Sequence, residues 1–128
     1  MKEINEQLFD AIKFKDIEKM KKLIKKGADV NAIIKNHWTP LTFASLSSVC
    51  AAKTLIDAGA DVNGQMQGNK GTALHWAACL GFTKMVKFLI ETNADVNAQD
   101  YEGKTPLYYA SKNGHADSIK LLIDVNAC

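Results

Sequence analysis

The sequence predicts an all-α solenoid, a stack of short helix pairs, and three observations predict it. A five-residue phrase recurs as Gly27-Ala28-Asp29-Val30-Asn31, Gly59-Ala60-Asp61-Val62-Asn63 and Asn93-Ala94-Asp95-Val96-Asn97. A second phrase follows each at short range, Thr39-Pro40-Leu41, Thr72-Ala73-Leu74 and Thr105-Pro106-Leu107, with the threonines 33 residues apart both times. Apolar triplets also return at helical spacing: Met20, Leu23 and Ile24; Ala52, Leu55 and Ile56; Val86, Leu89 and Ile90; Ile119, Leu122 and Ile123. Self-similarity at this period marks stacked supersecondary units, each too small to bury a core alone.

The 128 residues read as a single domain of four units, about 1–32, 33–64, 65–98 and 99–128. In the first, Asn5 with Glu6 and Gln7 reads as a helix start with a side-chain cap and negative charge in the first turn. A second helix ends at Gly27, the residue type best suited to a left-handed C-terminal position. Its other face carries Lys19, Lys21, Lys22, Lys25 and Lys26, read as the solvated exterior of an end unit or as a site for an acidic partner. In the second unit Thr39 caps a helix whose first residue is Pro40, where a missing N–H costs nothing. Leu41 and Ala44 face inward, and the connection Leu46-Ser47-Ser48-Val49 is one residue shorter than Cys79-Leu80-Gly81-Phe82-Thr83. The third unit opens with Thr72 and the fourth with Thr105-Pro106; the last helix is read as ending at Asn126. The small residues Ala44, Ala77 and Ala110 let neighbouring helices approach closely.

Net charge is +2, and all 16 basic residues are lysine. Planar, bidentate readout of phosphate and guanine favours arginine, so the mild excess of positive charge argues only weakly for nucleic acid as partner. Cys50, Cys79 and Cys128 are odd in number and widely spaced, which fits neither a disulfide framework nor a zinc site. Free thiols in a reducing, cytoplasmic compartment are the expectation. No run approaches the roughly 18 apolar residues of a membrane span.

These residues resemble the ankyrin repeat family, whose signature is a Thr-Pro-Leu-His-x-Ala opening and a Gly-Ala-Asp-Val-Asn close. The resemblance covers nearly the whole chain as four repeats. It implies an ankyrin-repeat solenoid of stacked antiparallel helix pairs, β-hairpin-like fingers projecting at about a right angle, and an L-shaped cross-section. It also implies binding of other proteins through finger tips and inner helices. The chain departs from the pattern in places: the first repeat lacks Thr-Pro-Leu, His37 stands where the finger usually has Gly, Ala73 replaces Pro, and Asn93 replaces Gly. Asparagine tolerates the left-handed backbone better than most residues.

Candidates for chemistry are few. His75 and Cys79 lie four apart on one helix face, a spacing that lets two ligands meet one metal, but no third ligand or orienting group accompanies them. His75 occupies the family's Thr-Pro-Leu-His position, where the ring bonds its own repeat, and His115 falls in its inter-helix Gly-His. Asp29, Asp61 and Asp95 stand in equivalent places on successive units, about 10 Å apart in a stack of helices packed at 8–10 Å, too far to share a proton or an ion. Gly64, Gly68 and Gly71 match no nucleotide-binding pattern. No catalytic residue, metal or cofactor is expected.

The finger and inner-helix positions differ from unit to unit while the core letters stay fixed. There the sequence points to a non-catalytic protein–protein interaction module, expected to be a monomer. Trp38 and Tyr101 are its aromatic anchors, Leu46 and Leu80 its apolar contacts, and Lys35, Asn36, Asn69, Lys104, Lys112 and Asn113 its polar rim. The rival for Trp38 is that it only covers the base of a neighbouring finger. The rival for the whole chain is a nucleic-acid or acidic-surface binder using the N-terminal lysines; a hydrolase or metal enzyme is the third reading. By family analogy, delivery into a host cytosol is one form of the cytoplasmic placement.

Overall fold

Each capping threonine does what its chemistry allows. The computed structural model describes residues 3–33 and 37–125. Thr39 accepts the N–H of Thr42 at 3.1 Å while the Thr42 hydroxyl accepts the N–H of Thr39 at 3.0 Å, a reciprocal capping box that starts α3 (Pro40–Ala44). Thr72 and His75 repeat the arrangement at the start of α5 (Ala73–Leu80), with the imidazole in place of a hydroxyl. Thr105 accepts the N–H of Tyr108 at the start of α7 (Pro106–Lys112). The first unit starts differently from the sequence expectation. α1 (Ile4–Lys13) has Glu3 at its cap position, without a side-chain cap bond. Asn5 lies inside the helix, and its Oδ1 instead accepts the N–H of Asp29 at 2.8 Å.

That correction exposes a ladder. Asn31 Oδ1 accepts the N–H of Asp61 at 2.8 Å, and Asn63 Oδ1 accepts the N–H of Asp95 at 2.6 Å. Each aspartate in turn accepts an N–H two residues on: Asp29 from Asn31, Asp61 from Asn63, Asp95 from Asn97. So the Asp-Val-Asn phrase is a tie: the aspartate shapes its own turn and the asparagine grips the next unit. Asn5 plays the asparagine's part for the first unit.

The second helices complete the pairs: α2 (Ile17–Lys25), α4 (Val49–Asp57), α6 (Thr83–Glu91) and α8 (Ala116–Asp124). α1, α3, α5 and α7 pack on one another in that order as an inner row, and α2, α4, α6 and α8 as an outer one. Between the rows lies one continuous core of Leu8, Ile12, Met20, Leu55, Leu74, Met85, Val86, Leu89 and Leu122, with Ala44, Ala77 and Ala110 fully buried where inner helices meet. In α8, Ser118 is fully buried and its hydroxyl has no hydrogen-bond partner. The short connection of the second unit is built without glycine: α3 stops after five residues, and Ser48 caps α4 by accepting the N–H of Ala51 at 3.1 Å.

Among the described residues there is no strand. The fingers are hairpin-like only in that a few turn bonds close them: Met66 N–H to Gly71 O at 2.8 Å with Lys70 N–H to Met66 O at 3.1 Å, and Asp100 N–H to Lys104 O at 3.0 Å with Gly103 N–H to Asp100 O at 2.9 Å. One backbone bond joins each finger to the next, Gln67 N–H to His37 O at 3.1 Å and Tyr101 N–H to Asn69 O at 2.8 Å. Two residues before each capping threonine the backbone turns left-handed: His37 has φ 63°, Lys70 φ 58° and Gly103 φ 77°. Only the last is the residue type suited to it. Asn93 takes φ 74° at the helix end where the other units have Gly27 and Gly59.

Candidate functional site

The inner helices carry a row of aromatic rings along the surface they share with the fingers. Phe9 of α1 lies 5.5 Å from Phe43 of α3, Phe43 meets Trp38 edge-on at 6.1 Å, and Trp38 lies 5.0 Å from Trp76 of α5. Beyond Trp76 the row is interrupted by a cavity of about 130 Å³, lined by Asn69, Gly71, His75, Trp76, Cys79, Asp100 and Tyr109. It resumes with Tyr109 and Tyr108 of α7, 5.3 Å apart and nearly perpendicular. Centroid spacings and tilts of this kind are favourable for aromatic pairs.

Hydrogen bonds fix the walls of the cavity. The backbone N–H of Thr72 donates to His75 Nδ1 at 3.1 Å, so that nitrogen carries no proton, and Nε2–H donates to the Lys104 carbonyl of the next finger at 2.8 Å. Burial pushes the imidazole below its ordinary 6.5, outweighing the pull of the Lys104 carbonyl and of the Asp100 charge. With both ring nitrogens engaged, His75 has no lone pair to offer a metal. Among the described residues no group of three or more His, Cys, Asp or Glu comes together as a metal site.

Asp100 Oδ1 accepts the N–H groups of Glu102 and Lys104, each at 2.9 Å, and Oδ2 accepts the Tyr109 hydroxyl. Desolvation pushes this carboxyl up, but the Tyr109 hydroxyl and the two backbone donors together hold it below 3.8. Desolvation and the neighbouring carboxylate raise the Tyr109 hydroxyl far above its ordinary value, so it stays a donor. Trp76 Nε1–H donates to Met66 Sδ at 3.0 Å. Below the cavity, His115 Nε2–H and the Asn113 side-chain amide both donate to the Cys79 carbonyl at 2.9 Å, closing the end of α5. A side chain at Gly81 is excluded there: with φ 69°, its Cβ would lie 2.4 Å from His115 Nδ1.

The residues singled out from the sequence differ in their surroundings. Tyr101 and Leu80 are exposed, at 75% and 52%, on the fourth finger and at the end of α5. Lys104 and Lys112 converge on the ring of Tyr108, with their ammonium groups 4.8 and 6.0 Å from its centroid, and Lys104 also bonds Glu102 at 3.4 Å. Trp38 and Leu46 are half-buried, and Trp38 is wedged between Phe43 and Trp76, so it is a packing residue whose remaining surface joins the aromatic row. Asn69 is exposed, but its Oδ1 accepts the Gly71 N–H at 2.7 Å, and Asn113 holds α5 as described. Lys35 and Asn36 lie outside the described residues, as do Cys128 and the helix end read at Asn126.

Phe43, Trp76, Tyr108, Tyr109 and Asp100 were not among the expected site residues. A signal for three of them is present: Phe43, Trp76 and Tyr109 each stand four residues after a capping threonine, one turn into the inner helix. Lys19, Lys21, Lys22 and Lys25 of α2 and Lys26 just after it are all exposed, and Lys21 lies 3.9 Å from Glu18. No helix among the described residues is long and apolar enough to cross a membrane.

The chain is 35% identical over 121 residues to the E3 ubiquitin-protein ligase Ufd4 of Drosophila melanogaster, covering 91% of this chain and 4% of that protein. It is 47% identical over 58 residues to protein phosphatase 1 regulatory subunit 12A of Mus musculus, covering 45% of this chain and 6% of that one. To Rabankyrin-5 of Mus musculus it is 44% identical over 80 residues, covering 54% and 7%. It thus spans only a small fraction of each relative's length. A model of ankyrin repeats in three copies matches over residues 8–100 and again over 46–128. The unit that repeats here, a threonine-capped helix pair tied to its neighbour by asparagine, is therefore the ankyrin repeat, and the chain belongs to the ankyrin repeat family, whose repeats generally mediate protein–protein interactions.

Proposed function

We propose that the chain is a non-catalytic module that binds a partner protein on its inner-helix and finger surface, across repeats two to four. The observation that carries this reading is the aromatic row from Phe43 through Trp38 and Trp76 to Tyr109 and Tyr108, which surrounds a cavity and ends in a lysine-flanked ring. Partly exposed aromatics set among polar groups are the raw material of binding hot spots, and truncating one at an interface centre typically costs about 2–4 kcal/mol. Tyr101 and Leu80 extend the apolar surface at its edges.

A photo-reactive residue placed at Leu80, Tyr101 or Tyr108 is expected to crosslink a partner that the same residue at Lys22 or Lys26 does not. Tyr101→Ala with Leu80→Ala should weaken binding of that partner roughly 30-fold or more with unchanged circular dichroism. Crosslinking confined to Lys22 and Lys26, with binding that falls steeply as salt rises, would move the interface to the lysine face of α2 and support the acidic-surface reading instead.

A further inference from the structure

The cavity between Trp76 and Tyr109 exists because the third finger has Gly71 where the neighbouring fingers have Trp38 and Lys104 directly before the capping threonine. A Cβ at Gly71 would stand 3.6 Å from Trp76 Nε1, so any longer side chain there would grow into this space. At about 130 Å³ it is well below the roughly 300–1,000 Å³ of small-molecule sites and suits a single side chain. Three of its donors are already engaged: Trp76 Nε1–H with Met66, His75 Nε2–H with Lys104, and the Tyr109 hydroxyl with Asp100. The remaining lining includes two ring systems and a carboxylate, and Asp100 is the one charged residue in it.

We propose that this cavity receives a lysine side chain of the partner, methylated or not, with its ammonium against the Trp76 and Tyr109 rings and the Asp100 carboxylate. Ring faces attract ammonium groups through their quadrupole, most strongly when water is displaced, and a carboxylate alongside supplies the counter-charge. An apolar side chain would fill the same volume but displace water from a carboxylate that, though it accepts three hydrogen bonds, would have no counter-charge. This inference rests on the inner-surface reading above.

The test is a titration of the full chain with four peptides of one sequence that carry lysine, trimethyl-lysine, arginine or norleucine at the central position, followed by NMR. The lysine and trimethyl-lysine peptides are expected to shift the Trp76 indole N–H and the Tyr109 ring signals and to bind at least ten-fold more tightly than the norleucine peptide. Asp100→Asn should lose that preference ten-fold, and Trp76→Leu should lose binding; the indole and ring signals of Asp100→Asn report whether the fold is kept. Equal binding of norleucine makes the cavity merely apolar and overturns the proposal, as does ten-fold tighter binding of arginine or a set of shifts elsewhere. Failure here with crosslinks still confined to Leu80, Tyr101 and Tyr108 removes the lysine pocket alone, whereas crosslinks on α2 remove the surface reading.

Discussion

At the scale of single residues, His75 joins two repeats through one tautomer: its Nδ1 accepts from Thr72 and its Nε2–H donates to Lys104. Protonating Nδ1 would remove the acceptor and break the cap. Because burial lowers the folded-state value below 6.5, the unfolded chain takes up the proton first. The stabilisation is therefore full above about pH 6.5 and declines as pH falls below it, and the urea midpoint should be lower at pH 5.5 than at pH 7.5. Asp100, held below 3.8, acts in the same direction but only in more acid solution, so it does not confuse the comparison. In His75→Gln the difference between the two pH values should shrink. Lys70 holds a left-handed backbone at φ 58°, so Lys70→Gly should gain about 0.5–1 kcal/mol in a denaturation curve despite glycine's entropy. Ser118→Ala should also stabilise, by about 1 kcal/mol, because it removes a buried hydroxyl that has no partner. Some of this was legible in sequence and some not. Threonine caps and the left-handed Asn93 follow from residue type alone. Asn5 was misread as a cap because its true partner, the Asp29 N–H, lies 24 residues away.

At the scale of elements, the repeated phrases give the helix pairs, and the structure adds the reason the phrases are kept. Asn63 ties the second unit to the third: it accepts from Asp95 at 2.6 Å and donates to the Asn93 carbonyl at 3.4 Å. Asn63→Ala should cost about 1–2 kcal/mol, since the freed groups are near solvent and water recovers part of the loss. Asn63→Asp, which keeps the acceptor but not the donor, should cost less; equal costs would mean that the acceptor does not matter. The inner-surface site was only partly readable at this scale. Finger residues such as Tyr101 and Lys104 stand out because they vary between units. The aromatic row does not, since Phe43, Trp76 and Tyr109 look like ordinary helix apolars until adjacent helices bring them into line. The cavity between two of them depends on a missing side chain at Gly71, which the register of the capping threonines shows but which becomes a void only beside Trp76 and Tyr109.

At the scale of the whole molecule, among the described residues the helices of each unit pack chiefly on those of adjacent units, so stability is close to a sum of unit and interface contributions and the weakest interface opens first. That interface belongs to the second repeat. Its inner helix α3 has five residues against eight in α5, and its outer helix buries Ala51 and Ala52 where α6 buries Met85 and Val86. Alanine in place of valine alone forgoes about two buried methyl groups, or roughly 1.5 kcal/mol. Two further bonds connect the second finger to the third, His37 with Gln67 through the backbone at 3.1 Å and through their side chains at 3.1 Å, but both lie at the exposed edge. Hydrogen exchange should therefore show the amides of α3 and α4 losing protection before those of α5 and α6. Opening of α5 and α6 first would mean that the Thr39–Thr42 capping box and the Asn31 tie outweigh the missing apolar area. Since Trp38 is wedged between Phe43 of this weak repeat and Trp76 of the strong one, Trp38→Ala should widen the difference: α3 and α4 exchange faster while α5 and α6 keep most of their protection.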